Sequence, residues 1–331
     1  MPRSKSRFSY RLGVSPVSFH TPGREFFVIA ILTALSVEHD AVRELLVDVE
    51  ERTSAGGTIF DVGRLATDPE VRIALGVTGT GALNAATLAE RVMARFSPAA
   101  ALFVGVAGGL RDWLEIGDVV VATKIHGYQA GRSEDSEFLV RPNAWLVSHE
   151  LEQLARRLPR DGQWRSGLPS SPGEKAPAVH FEAVAAGDVV LNSRISAEAE
   201  RIRRSFNDAV AVEMESSGFA HACHLRGRVP TATIRAISDR ADGTKSVTDG
   251  RGSQRLAAAN AAAFAAALAT AVVNRDEPHD GQETRSPNRP APAAPTSVRT
   301  SNVVRDGRVG VQSGSNTGEF RVTFSGSPDH D

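Results

Sequence analysis

Residues 209–242 read AVAVEMESSGFAHACHLRGRVPTATIRAISDRAD. Two apolar runs in this stretch, Ala209 to Val212 and Val229 to Ile237, have the length and β-branched content of buried strands. Ser216 to Leu225 between them reads as a helix closed by Gly227, so the unit is strand, helix, strand. A right-handed crossover of that kind places both strand ends on one rim of a parallel sheet, where open α/β folds keep their sites. The first strand delivers Glu213, Met214 and Glu215 to that rim, and the second delivers Ser238 and Asp239. Charges at the ends of apolar strands cost desolvation free energy, so a ligand or a hydrogen-bond network is expected there.

The same alternation extends towards the N-terminus. Phe27 to Ala34 predicts a first buried strand, and Ser36 predicts the N-cap of a helix with Val37, Ala41, Leu45 and Val49 on one side. Phe26 to Leu35 after a basic stretch imitates a signal-peptide core, but the run leads directly into that amphipathic helix. Thr58 to Leu65, Val71 to Val77, Ala101 to Val106, Ile116 to Thr123 and Ala178 to Ala186 predict further strands. Helices are predicted over Ala82 to Phe96, Asn143 to Leu158, Ile195 to Phe206 and Leu256 to Val273, with a polar loop from Gly127 to Pro142. The pattern predicts one three-layer α/β domain over residues 26–275, with a mixed, mostly parallel central sheet flanked by helices. Residues 1–25 are expected to be disordered, 276–300 to be a linker, and 301–331 to be a β-prone tail.

Val212-Glu213-Met214-Glu215 followed by Arg235-Ala236-Ile237-Ser238-Asp239 resembles the purine nucleoside phosphorylase and nucleosidase superfamily, most of all methylthioadenosine/S-adenosylhomocysteine nucleosidases. The resemblance runs from Phe27 to Val273 and includes Thr33-Ala34-Leu35-Ser36-Val37-Glu38, Thr78-Gly79-Thr80-Gly81, Gly117-Asp118-Val119-Val120-Val121 and Gly187-Asp188-Val189-Val190. It implies a nucleoside phosphorylase-like fold and cleavage of a purine N-glycosidic bond through an oxocarbenium-like sugar. It also implies roles. Asp239 would protonate the departing base, with Ser238 orienting it, and Glu38 would activate water with help from Arg235. Glu215 would accept from the ribose hydroxyls, Glu213 and Met214 would line the same wall, and Thr78, Gly79, Val189 and Val190 would lie beside ribose and base. The aromatic residue that nucleosidases stack on the purine is absent after Gly187, and Phe181 is the substitute the sequence offers.

Phosphorolysis is the alternative to hydrolysis. Related phosphorylases carry phosphate-binding arginines after the first strand and before the glycine turn, where this chain has Thr33-Ala34-Leu35 and Leu102-Phe103-Val104. Water is therefore the expected nucleophile. A non-catalytic purine-sensing module is a third reading, against which the full acid set argues. The 5′ substituent stays open: Leu35 suits an alkylthio group, and Arg132 and Arg141 suit a phosphate.

Composition excludes other classes. A net charge of -1 in 331 residues gives no pull towards nucleic acid or an anionic membrane. No apolar run in the raw sequence reads as a membrane span. The single cysteine, Cys223, rules out an internal disulfide and suits a reducing cytoplasm. Gly79-x-Gly81 opens a helix after a strand, but Asn84 occupies the third glycine position, so no dinucleotide cofactor is expected. His221, Cys223 and His224 crowd one helix without the spacing to chelate a metal, and no metal is expected. A homo-oligomer is expected by the resemblance. In the tail, residues 309–316 (VGVQSGSN) resemble short amyloid-signalling motifs, which suggests a signalling partner and a role as effector of a bacterial defence system.

Overall fold

The apolar run after Phe27 forms strand β1 (Val28–Thr33) in a computed structural model that describes residues 27–54, 56–168, 176–227, 229–244 and 252–275. Its alternation is two-sided: Ile29 and Ile31 face one apolar layer while Ala30 and Leu32 face the other. A strand buried on both faces belongs in the middle of a sheet. β1 lies there, parallel to β4 (Asp68–Val77) on one side and to β5 (Ala100–Gly109) on the other. Beyond β4 the sheet continues antiparallel through β3 (Ile59–Leu65) to β2 (Leu46–Thr53).

Beyond β5 the order is β12 (Thr231–Asp239), β6 (Val119–Gly127), β10 (Val179–Ala186) and β11 (Ala209–Glu213). β11 then returns to β5, pairing antiparallel with Ala211 opposite Gly109 and Val212 opposite Gly108. This half of the sheet thus closes on itself around Ala107, Val120, Val184, Val210 and Ile237. The closure corrects the expected parallel crossover. β12 runs parallel to β5 and β11 runs against it, so the two strands of the quoted stretch point in opposite senses. Their acids meet because β11 overlaps β5 near the C-terminal ends of both.

Helices cover both faces. On one lie α1 (Ser36–Arg43), α3 (His149–Asp161) and α6 (Ser253–Asn274), and on the other α2 (Ala82–Phe96) and α5 (Ser216–Arg226). A further helix, α4 (Ala197–Ser205), packs over β10 and β11 through Ala199 and Ile202. Gly218 in α5 permits close approach to α2, since a Cβ there would lie 1.8 Å from the Ala82 carbonyl oxygen.

Other expectations change in detail. α1 stops at Arg43, and Val49 lies in β2, where Val47 and Val49 alternate with polar neighbours. Asn143 to Leu146 form a strand, β9, paired with β6, and α3 starts only at His149. The polar segment after Gly127 contains a short hairpin of β7 (Gly131–Ser133) and β8 (Phe138–Val140). α6 is long and apolar enough to cross a membrane, with mean hydropathy 1.9, but 61% of that window is buried inside the domain. It is a core helix of alanines packed on the sheet. The expected N-terminal segment, linker and tail lie outside the described residues.

Candidate active site

A cavity of about 270 Å³ opens where β1, β5, β11 and β12 end, and Glu38, Glu213, Met214, Glu215, Ser238 and Asp239 all line it. Six residues scattered over two hundred positions therefore share one wall because four strands terminate together.

Glu38 sits at the third position of α1 and turns back on the entry to its own helix. Its Oε2 accepts from the N–H groups of Ala34 (2.8 Å) and Leu35 (2.9 Å), and its Oε1 accepts from Val106 (2.8 Å). The carboxylate thereby ties the β1–α1 turn to the end of β5. Burial raises its proton affinity above that of an ordinary glutamate, against the opposing pull of Arg235 and of the three N–H donors. Gly105 makes this possible, because a Cβ there would stand 2.2 Å from Arg235 Nη1 and 2.4 Å from Glu38 Oε1.

Arg235 is fully buried and forms the centre of an acidic ring. Its guanidinium bonds Glu213 and donates to Ser216 Oγ at 3.1 Å, with Glu215 at 3.8 Å, Glu38 at 4.0 Å and the Phe103 ring centroid at 4.5 Å. It does not line the cavity. It lies behind the wall and meets the cavity through the carboxylates of Glu38, Glu213 and Glu215. Glu213 in turn accepts from the N–H groups of Glu215 (3.1 Å) and Ser216 (3.0 Å) and from Ser216 Oγ (3.0 Å), which satisfies the free amides at the start of α5.

Glu215 reaches across to the start of α2, accepting the Gly81 N–H at 3.0 Å. Burial, with repulsion from Glu213 and Glu38 and despite Arg235, pushes it up to about 7. Asp239 accepts from Ser238 Oγ at 3.1 Å and from the Ala241 N–H at 2.9 Å, so both carboxylate oxygens are held in place. Gly108 leaves room beside it, a Cβ there falling 3.0 Å from Asp239 Oδ1. One rim of the cavity is apolar, formed by Val189, Val190 and Leu191.

The remaining expectations divide. Thr78 and Gly79 stand just before the cavity, Thr78 Oγ1 donating to the Gly79 carbonyl at 2.7 Å, while Thr80 lines it and Gly81 supplies the amide to Glu215. Phe181 packs under the Arg156 guanidinium of α3 and does not line the cavity, so it is not placed to stack on a base there. Arg132 pairs with Glu134 in the hairpin, and neither it nor Arg141 lines the cavity. The described lining residues include no lysine or arginine. Cys223 is buried under α2, its thiol pushed up to about 12 by burial, and no three metal-ligating side chains are grouped among the described residues. Asp188, which the sequence offers only as part of the Gly187-Asp188-Val189-Val190 motif with no role of its own, accepts the Ala82 N–H at 2.9 Å. Gln254, two residues into α6, lines the cavity and escaped the sequence reading, since no local pattern marks it.

A family profile described as "Phosphorylase superfamily" matches residues 28–274. Among curated relatives, the ATP nucleosidase Cap17 of Escherichia coli is 28% identical over 249 residues, covering 68% of this chain and 47% of that protein. The chain thus spans about half the length of that relative. A 5′-methylthioadenosine/S-adenosylhomocysteine nucleosidase of Haemophilus ducreyi is 28% identical over 218 residues, covering 65% of this chain and 85% of that one. The crystal structure of the corresponding nucleosidase of Neisseria meningitidis, in complex with methylthio-immucillin-A, superposes with a TM-score of 0.60 at 27% identity, covering 73% of this chain and 97% of that one.

Proposed function

Since this chain belongs to the phosphorylase superfamily, we propose that it is a hydrolase that cleaves the N-glycosidic bond of adenine nucleosides or nucleotides and releases the free base. One observation carries the choice of water over phosphate. The nucleophile side of the cavity presents the Glu38 carboxylate, and the nearest cation among the described residues, Arg235, is buried behind the wall and shared among three carboxylates. A phosphate dianion there would face like charge, with no counter-ion among the described lining residues.

The chemistry follows from the positions. Asp239 gives a proton to the purine as the bond from C1′ to the base nitrogen breaks, and the bonding electron pair leaves with the base. Water attacks C1′, and Glu38 takes its proton. Glu215 accepts from the ribose hydroxyls, and its negative charge favours the cationic sugar between the two events. Ser238 and the Ala241 N–H hold Asp239 for this role. Val189, Val190 and Leu191 supply an apolar wall for the base in place of an aromatic side chain.

The described lining, with Leu35 and Met214 and no basic side chain, supports an uncharged 5′ group such as a hydroxyl or alkylthio. The similarity to an ATP nucleosidase supports a second reading, an adenine nucleotide. A panel of methylthioadenosine, adenosine, AMP and ATP, each with and without phosphate, separates these by the base and sugar released. Free adenine and an unphosphorylated C1 at the same rate with and without phosphate is the expected result. Ribose 1-phosphate derivatives as the main product would sink hydrolysis, and no release from any of the four would sink the enzyme reading.

The setting proposed is a reducing cytoplasm, supported by the single cysteine. A homo-oligomer is supported by the exposed apolar side chains of Val77, Leu83 and Val190, the last of which lines the cavity. The proposed boundaries remain a catalytic domain over 26–275, with 301–331 as an assembly or signalling element.

A further inference from the structure

A second cavity, of about 170 Å³, adjoins the first, and Leu191 lines both. Leu110, Ile202 and Phe206 line it with apolar surface, and three arginines, Arg111, Arg194 and Arg203, line it as well. The acids that engage two of these point outward: the Asp112 side chain, paired with Arg194, is 89% exposed, and Glu200, paired with Arg203, is 42% exposed. Ion pairs so placed hold weakly. Arg111 donates to the carbonyl of Asn207, and no carboxylate pairs with it among the described residues. Three arginines and three large apolar side chains around one cavity are the chemistry that takes a phosphate head carrying an apolar body.

The cavity is joined to Asp239 through the backbone. Arg194 Nε donates to the carbonyl of Arg240 at 3.3 Å while its Nη1 holds Asp112 at 2.6 Å. Arg240 stands between Asp239 and Ala241. Ala241 lines the second cavity and gives its N–H to Asp239 Oδ1 at 2.9 Å. Ala241 also sits at φ 50°, a left-handed conformation that a residue with a Cβ keeps only while its surroundings hold it.

We propose that this second cavity binds a small organic phosphate, and that its occupant draws Arg194 away from the Arg240 carbonyl, loosens the Asp239–Ala241 turn and so restrains the first site. The inference goes beyond the glycosidic reading, and its two tests do not use turnover. In the first, phenyl phosphate, inorganic phosphate and phenol are titrated into the full chain by calorimetry, with and without adenine. Phenyl phosphate is expected to bind at one site, about tenfold or more tighter than either fragment, and adenine is expected not to displace it. The Arg111→Ala, Arg203→Ala double variant, its fold checked by circular dichroism, is expected to lose that binding. Binding that survives the double variant, or that adenine displaces competitively, overturns the site. In the second test, amide exchange is followed at Ala241. Phenyl phosphate is expected to speed it about fivefold or more, the scale of ordinary coupling between sites, and Arg194→Ala is expected to abolish that response. Exchange that is unchanged or slowed by phenyl phosphate overturns the coupling. Adenine release that proved absent altogether would refute the hydrolase reading and leave both results interpretable.

Discussion

Replacing Glu215 by glutamine keeps the side chain's size and the acceptor for the Gly81 N–H, and removes one negative charge from a crowded acidic ring. In the folded chain burial pushes Glu215 up to about 7, with Glu213 and Glu38 adding to the rise and Arg235 opposing it. An unfolded glutamate titrates near ~4.3. Between those values the folded chain holds a proton that the unfolded chain has lost, so stability falls as pH rises through this window and levels off above about 7. A shift of this size corresponds to ~4 kcal/mol at most, and to less where the neighbouring carboxylates share the repulsion. Glu215→Gln should therefore match wild type near pH 4.5 and exceed it by ~1–3 kcal/mol at pH 8, while turnover drops with the loss of the ribose acceptor. Urea denaturation at pH 5, 6, 7 and 8, followed by circular dichroism, reads this directly. A variant that is equal to or weaker than wild type at pH 8 would show that the ring tolerates the Glu215 charge without strain, and would refute the reasoning.

Asp239→Asn and Glu38→Gln should each lower the rate of base release by ~10² or more, with thermal unfolding near wild type; normal turnover in either variant removes its assigned role. Arg235→Met should cost ~3–5 kcal/mol, the scale of leaving buried charge uncompensated, and a small change in denaturation midpoint would mean that the three carboxylates do not depend on it. Gly218→Ala should separate α5 from α2 and cost ~1–3 kcal/mol or more, measurable as a lowered midpoint with unchanged slope. Truncation after Arg275 should leave a folded chain that still releases base, as the described helix α6 already ends at Asn274; an inactive product would place later residues in the catalytic unit.

Much of this arrangement is legible in the sequence because strand ends are local facts. The runs that stop at Glu213 and Asp239, and the helix start that holds Glu38, give strand, terminus and acid together, and the cavity gathers all three. The direction of β11 was not legible, because a five-residue apolar strand has the same pattern whichever way it runs, and only its pairing with Gly108 and Gly109 decides. The depth of Arg235 was not legible either: alternation in β12 turns it to the Phe103 side, behind the wall, where it meets the site carboxylates from the back. The end of α1 was misjudged because Leu45 and Val49 keep the helical spacing by coincidence while lying in and before β2. Gln254 and the partner of Asp188 could not be found locally, since they depend on where α6 and the turn after β10 come to rest.

Helix α2 begins without a cap of its own, as Gly81 has no side chain to offer and the first amides are met by Glu215 and Asp188. These partners follow 134 and 106 residues later in the chain. During synthesis at ~5–20 residues per second, the start of α2 waits roughly 7–27 s for Glu215 to be made. The N-terminal half therefore emerges from the ribosome with its own cavity unfinished, and the acid that completes the start of the helix also becomes part of the cavity wall.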